Sequence, residues 1–236
     1  MLKNLDKLLE FLLPEEIKEK AVNSTEATQS GLALFVIPSG NRIEFILLNV
    51  KTAINDFASN SQKINLSRVK YKKELFQHIL GTCFINKITN SSQEKIYEVK
   101  ATAAEHGYGP LLYDIAMSYV YPGWLTSDRE NISPEALSVW SFYYNNRNSD
   151  VEKEALDTLE PPNVRDPNQG FNKIKSLSTD PLKYKYRIKQ PESIQVLVKN
   201  GEDMLSSIND VLTNGKLIIR NISMLGNLFF QKKYYK

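Results

Sequence analysis

The sequence predicts an α+β fold, with a mainly antiparallel sheet flanked by helices and followed by a C-terminal extension. Two observations carry this reading. Apolar runs of strand length come in pairs around short polar turns up to residue 104, and the apolar period then lengthens to that of a helix from Pro110 onward. With 236 residues, 42% hydrophobic and 24% charged, the chain has the composition of a folded protein that buries a sizeable core.

The elements follow in order. In MLKNLDKLLEFLLPEEIKEKAV, the residues Leu2, Leu5, Leu8, Leu9, Leu12 and Leu13 recur at helical spacing, a stripe that needs a partner surface within the chain or on a second subunit. Asp6, Lys7 and Glu10 interrupt it, well short of the roughly 20 apolar residues that span a bilayer, and no secretion signal is evident. No membrane partner and a cytoplasmic location are therefore expected. GLALFVIPSGNRIEFILLNV reads as two strands around Pro38, Ser39, Gly40 and Asn41. SRVKYKKELFQHIL has a helical pattern, and GTCFINKITNSSQEKIYEVKATAA reads as a second hairpin turning at Asn90, Ser91 and Ser92.

From Pro110, Leu111, Leu112, Ile115, Ala116 and Tyr119 mark one face of a helix, and GWLTSD follows as a short strand. Ser133 before Pro134 and Glu135 is an N-cap with favoured first-turn residues, opening a helix with Ala136, Val139, Trp140 and Tyr143 on its apolar stripe. Residues 157–192 are rich in proline and turn formers and read as a connection between a domain over 1–156 and an extension over 193–236. The extension ends in a strand-like apolar set, Leu217, Ile218, Ile219, Ile222, Leu228, Phe229 and Phe230.

Charge and cysteine usage exclude several functions. The 30 Lys+Arg residues nearly balance 27 Asp+Glu and are scattered, which argues against a nucleic-acid partner. The densest cluster, LKYKYRIKQ, alternates Lys183, Lys185, Arg187 and Lys189 with Tyr184, Tyr186 and Ile188. That pattern suits a nucleic-acid-facing strand and equally a two-faced surface strand, the latter being expected. Cys83 is alone, and His78 and His106 are not at ligand spacing, so neither a disulfide nor a metal site is expected.

The stretch AAEHGYGPLLYDIAMSYV places Gly107 and Gly109 before a helix, where unpaired backbone N–H groups and a partial positive charge favour a phosphate. Gly-Tyr-Gly before a helix is also an ordinary turn, so both readings stand on spacing alone. IYEVKATAAEHGYGPLLYDIAMSYV together with GWLTSDRENISPEALSVWSFYYNNR resembles the central motif of the GNAT superfamily of acyl-CoA-dependent N-acyltransferases. The order is the family's fourth strand, glycine loop, third helix, fifth strand and fourth helix, over roughly a quarter of the chain. The family loop reads Gln/Arg-x-x-Gly-x-Gly/Ala. Gly107 and Gly109 match it, and Ala104 stands at the leading position.

The resemblance implies a GNAT-like fold and acetyl-CoA bound across splayed fourth and fifth strands. Its pyrophosphate would lie on the amides of Gly107, Tyr108, Gly109, Leu111 and Leu112. It further implies Glu98 as the base that deprotonates an unknown amine and Tyr144 as the acid for the departing thiolate. Each has a plainer reading: Glu98 as an exposed strand carboxylate, Tyr143 and Trp140 as core, His106 as a solvated loop residue, and Asp128 and Arg129 as loop caps. Similar combinations occur in small bacteriophage proteins. This implies a second function, a non-catalytic GNAT-fold structural or assembly protein of a virion that meets its partners through the N- or C-terminal segments, in the host cytoplasm or the particle.

Overall fold

The computed structural model describes residues 31–49, 78–89, 94–105, 107–156, 163–166, 170–173, 180–191, 194–195, 197–201 and 226–231. The leucine stripe, the helical pattern before His78, the turn at 90–92, His106 and the apolar residues 217–222 lie outside them. Both expected hairpins form. Strand β1 (Leu32–Ser39) runs antiparallel to β2 (Arg42–Asn49), with Ser39 opposite Arg42 across the turn. Strand β3 (Ile79–Thr89) pairs with β2 on one side and with β4 (Lys95–Ala104) on the other. Ile79 and Leu80, read as the end of a helical segment, thus belong to a strand. Phe84 faces Ala101 while Ile85 faces Val99, so Lys100 is one residue more than β3 can match, a bulge that locally bends β4.

The chain then alternates. Helix α1 (Gly109–Val120) leads to β5 (Trp124–Thr126), the short β6 (Asn131–Ile132) and helix α2 (Pro134–Asn146). Ser133 caps α2 as its sequence predicts, its hydroxyl accepting the amide of Ala136 at 3.2 Å. Ser133→Ala is expected to lower stability by about 0.5–2 kcal/mol in chemical unfolding, the usual value of such a cap. After α2 come β7 (Val151–Ala155), β8 (Asn163–Asp166), β9 (Gly170–Lys173), a short helical turn over Asp180–Lys183 and β10 (Tyr184–Ile188). The principal sheet has seven strands in the order β1-β2-β3-β4-β5-β10-β7, antiparallel except for the pair β4–β5. A small second sheet has the order β6-β8-β9.

This topology corrects the reading of residues 157–192 as a connection, because β10 is an interior strand between β5 and β7. Nor is β10 a surface strand: Lys185 is 4% exposed. Its charge is tolerated because Glu94 and Glu154 pair with it, the latter at 3.0 Å. Arg187 pairs with Glu152, Lys183 with Asp180 at 2.6 Å, and the Lys189 ammonium donates to the Asn148 carbonyl at 2.7 Å. Glu152 and Glu154 of β7, with Glu94 and Asp180, thus pair with Arg187, Lys185 and Lys183 of the basic run.

Helices α1 and α2 cover one face of the sheet. Leu111, Leu112, Ile115, Ala116 and Met117 of α1 pack with Phe45, Leu47, Cys83, Ile85 and Val99 of the strands. Tyr113 and Tyr186 each lie 5.1 Å from the Trp140 ring, joining the two helices to β10. A charged group is buried in the same layer. Arg147 bridges Asp114 at 3.3 Å and Asp150, and the Tyr143 hydroxyl lies 2.9 Å from the Asp114 carboxylate.

The other face of β2 and β3 receives residues 226–231, which are helical rather than the expected strand. Phe229 is buried and the Phe230 ring stands edge-on to Phe84 at 6.1 Å, so these apolar residues are used within the chain. The expected strand there fails because a short apolar run fits a buried strand and a buried helical turn equally. Asn200 donates its side-chain amide to the Leu32 carbonyl at 2.7 Å, placing the start of the extension beside β1. Among the described residues no helix is long and apolar enough to cross a membrane.

Candidate functional site

Strands β4 and β5 are paired only through Ile96–Trp124, Tyr97–Leu125 and Glu98–Thr126. Beyond Glu98, β4 continues to Ala104 with β3 alone on one side, while the chain leaves β5 through Ser127 and Asp128. The two parallel strands are therefore unpaired beyond Glu98 and Thr126, and the β4 edge of this slot runs roughly 20 Å at about 3.3 Å per residue. At its far end lies the glycine turn. Gly107 has φ +89°, the left-handed region, which turns the chain from β4 into α1.

The amides named from sequence divide into two sets. Tyr108 donates to the Glu105 carbonyl at 3.1 Å, and Leu112 donates to the Tyr108 carbonyl at 3.2 Å, so both are used within the turn and first helical turn. Gly109 and Leu111 occupy the first turn of α1, where no helical carbonyl precedes them, and Pro110 between them has no N–H. No side chain caps this end of the helix. A Cβ placed on Gly109 meets nothing within 4 Å among the described residues. Behind it, Gly81 lets α1 sit close on β3: a Cβ there stands 2.7 Å from Leu112 Cδ1 and 3.1 Å from the Ala103 carbonyl.

Glu98 is not the exposed strand carboxylate of the plainer reading. It is 5% exposed, and its Oε1 accepts the Arg129 backbone amide at 2.5 Å and the Lys100 ammonium at 3.1 Å. Alternation puts it on the face opposite Val99, which packs under the helices. Lys100, two residues on along the strand, lies on the same face, and it is also 3.6 Å from Asp128 and 3.8 Å from Glu130. Burial favours the neutral amine, but the three carboxylates outweigh it and hold the Lys100 pKa above its ordinary 10.5. Arg129 is tied back to the 3₁₀ turn, donating through Nη1 to the Leu182 carbonyl at 2.5 Å, so the backbone that binds Glu98 is itself anchored.

Tyr144 lies on the opposite face, half-buried, its ring 5.1 Å from that of Tyr184 and under the Lys153 ammonium at 4.1 Å. A hydrogen bond with Tyr184 raises its pKa above the ordinary 10.0, keeping the phenol protonated near neutrality. Tyr143 is fully buried and committed to Asp114, as its packing role requires. Tyr184 is near the end of the β4–β5 pair, since its carbonyl accepts the Thr126 hydroxyl at 3.3 Å.

The structure thus assembles an open helix N-terminus at one end of the slot. At the other end a buried carboxylate and an aromatic hydroxyl pair lie on opposite faces. Lys100 and Tyr184 were not singled out for this site from sequence. Cys83 is buried with its thiol pKa pushed up to about 12 by desolvation, and is inert. Among the described residues no group of three or more His, Cys, Asp or Glu side chains is placed to hold a metal ion. In comparisons with protein-family models and with curated protein sequences, nothing matches this chain.

Proposed function

We propose that the protein is a GNAT-like, acyl-CoA-dependent N-acyltransferase acting on an amine. The observation that carries the reading is the one parallel strand pair of the seven-stranded sheet, β4 and β5, connected through a glycine turn and α1 and with no pairing after Glu98 and Thr126. This is the arrangement a cofactor held between splayed fourth and fifth strands requires. Gly109 and Leu111 offer the free amides for its pyrophosphate, and a Cβ on Gly109 meets nothing within 4 Å among the described residues. Ala104 at the head of the loop costs little, because the donors are backbone groups.

Acetyl-CoA, when bound, supplies an activated thioester. The chain's own residues supply the proton transfers. Transfer to an amine forms a C–N bond and breaks the C–S bond, so one proton leaves nitrogen and one joins sulfur. Glu98 takes the first through Oε2, the oxygen not used by the Arg129 amide and Lys100 contacts. Tyr144, held protonated by Tyr184, furnishes the second from the opposite face. Asp128 and Glu130 beside Lys100 present negative charge to a cationic acceptor arriving on the Glu98 side.

The test is titration calorimetry with acetyl-CoA. Gly109→Ala adds a Cβ that meets nothing within 4 Å and Gly109→Val adds more bulk before Pro110, so both are checked for folding by circular dichroism, and folded Gly109→Val is expected to weaken saturable binding by about 100-fold or more. That is the loss of charge-assisted hydrogen bonds worth about 1.5–3 kcal/mol each. The absence of binding by the unaltered protein, or equal binding by a folded Gly109→Val, overturns the reading. Gly107 is the wrong position for this test, since any side chain at its positive φ strains the turn itself.

A further inference from the structure

Lys100 is an amine set against the carboxylate proposed as base. Its ammonium lies 3.1 Å from Glu98 Oε1, within the reach that a proton transfer needs, and its side chain is 29% exposed, so a molecule arriving from outside can meet it. It follows the last β4 residue paired with β5 and so stands on the unpaired edge of that strand, on the way from Glu98 to the glycine turn. Asp128 and Glu130, from the segment after β5, hold the ammonium in place.

Other lysines of the sheet are placed differently. Lys185 is also held by two glutamates but is buried. Lys183 pairs with Asp180, and Lys153 and Lys189 donate to the carbonyls of Tyr144 and Asn148. Of these amines, Lys100 alone is both accessible and in contact with Glu98.

We infer that Lys100 is a self-acylation site: without a free acceptor, its Nζ takes the acyl group from an acyl-CoA bound along the slot, with Glu98 as base. The inference rests on the proposed acyltransferase reading and adds an acceptor within the chain itself. A C–N bond forms at Nζ as the thioester C–S bond breaks. Two protons leave the ammonium, one to solvent as the neutral amine forms and one to Glu98, while Tyr144 gives one to the departing sulfur. The three carboxylates keep the neutral fraction of the amine small, so the transfer is slow. Its product is a neutral amide, which deprives Glu98, Asp128 and Glu130 of their shared counter-charge.

The experiment incubates the full chain with acetyl-CoA and no added amine, and locates acetyl groups by peptide mass mapping. Lys100 is expected to carry about tenfold more label than Lys189, or a larger excess. Acylation by the thioester alone follows exposure and favours Lys189, which is exposed. Glu98→Gln is expected to lower the Lys100 label by about 100-fold, the contribution of a positioned base. Removing the Glu98 charge eases loss of the ammonium proton, so a merely chemical label rises in this variant, as it does in a variant that fails to fold. Folded Gly109→Val, which keeps Glu98 and Lys100, is expected to lower the label as well. Saturable acetyl-CoA binding without excess label at Lys100, or label undiminished by Glu98→Gln, overturns self-acylation and leaves the cofactor site standing. No acetyl-CoA binding by the parent overturns the proposed function and this site together.

Discussion

Replacing Arg147 with methionine is expected to lower the stability of the protein by about 3–5 kcal/mol, the cost of breaking a buried ion pair by removing one partner. Arg147 and Asp114 are both buried, and Asp114 has only Arg147 and the Tyr143 hydroxyl to compensate it among the contacts described. Burial is the larger influence on Asp114 and raises its pKa above the ordinary 3.8; Arg147 opposes the rise. A carboxyl whose pKa is raised in the folded state binds its proton more tightly there than in the unfolded chain. It therefore favours folding at low pH and loses that contribution as pH rises through its folded pKa.

Without Arg147 the rise is larger, so the destabilisation is expected to be greater at neutral pH than at mildly acidic pH. Adding Asp114→Asn removes the uncompensated charge and is expected to restore part of the loss. Urea unfolding at two pH values checks this. A loss that is the same at both, or a double variant less stable than Arg147→Met alone, contradicts the account.

Glu98→Gln is expected to reduce turnover by about 10²–10⁴-fold, the contribution of a positioned general base. Glutamine still offers an oxygen to the Arg129 amide, so the side chain stays in place, while the group that receives the proton is gone. Because Glu98 lies across the sheet from the α1 amides, acetyl-CoA binding is expected to persist. Release of free thiol from acetyl-CoA in the presence of a panel of amines measures turnover, and calorimetry measures binding. Turnover unchanged by Glu98→Gln removes the base from this residue.

Much of the scaffold was legible because its signals are local. The turn residues Ser39–Gly40–Asn41 sit between two apolar runs, and Ser133-Pro134-Glu135 is a cap that needs no tertiary contact to be recognised. The errors arise where a distant residue decides. Lys185 looks like a surface lysine until Glu94 and Glu154, from other parts of the chain, enclose it. Phe229 and Phe230 carry no period long enough to separate helix from strand.

The site divides in the same way. Gly107 and Gly109 are visible because a left-handed turn before a helix has a composition of its own. Glu98 was visible as a residue but not in its surroundings. Its amide partner lies 31 positions away, and the Asp128 carboxylate that shares Lys100 with it comes from the same distant segment.

The parallel pair also has a consequence for how the sheet holds together. Three residue pairs are the only strand pairing between β1–β4 and β5 with the strands beyond it, beside the Glu94–Lys185 ion pair and the Arg129–Glu98 contact, whereas β3 and β4 are matched along almost their whole length. In terms of cooperative units the sheet is two blocks with a narrow seam, each block drawing its protection from its own ladder and from the helices laid over it. A molecule lying along the slot would contact both blocks at once. Slowed amide hydrogen exchange on both sides of the seam, in β7 as well as β4, would then be the mark of its binding, even though β7 lies beyond β10 and does not border the slot.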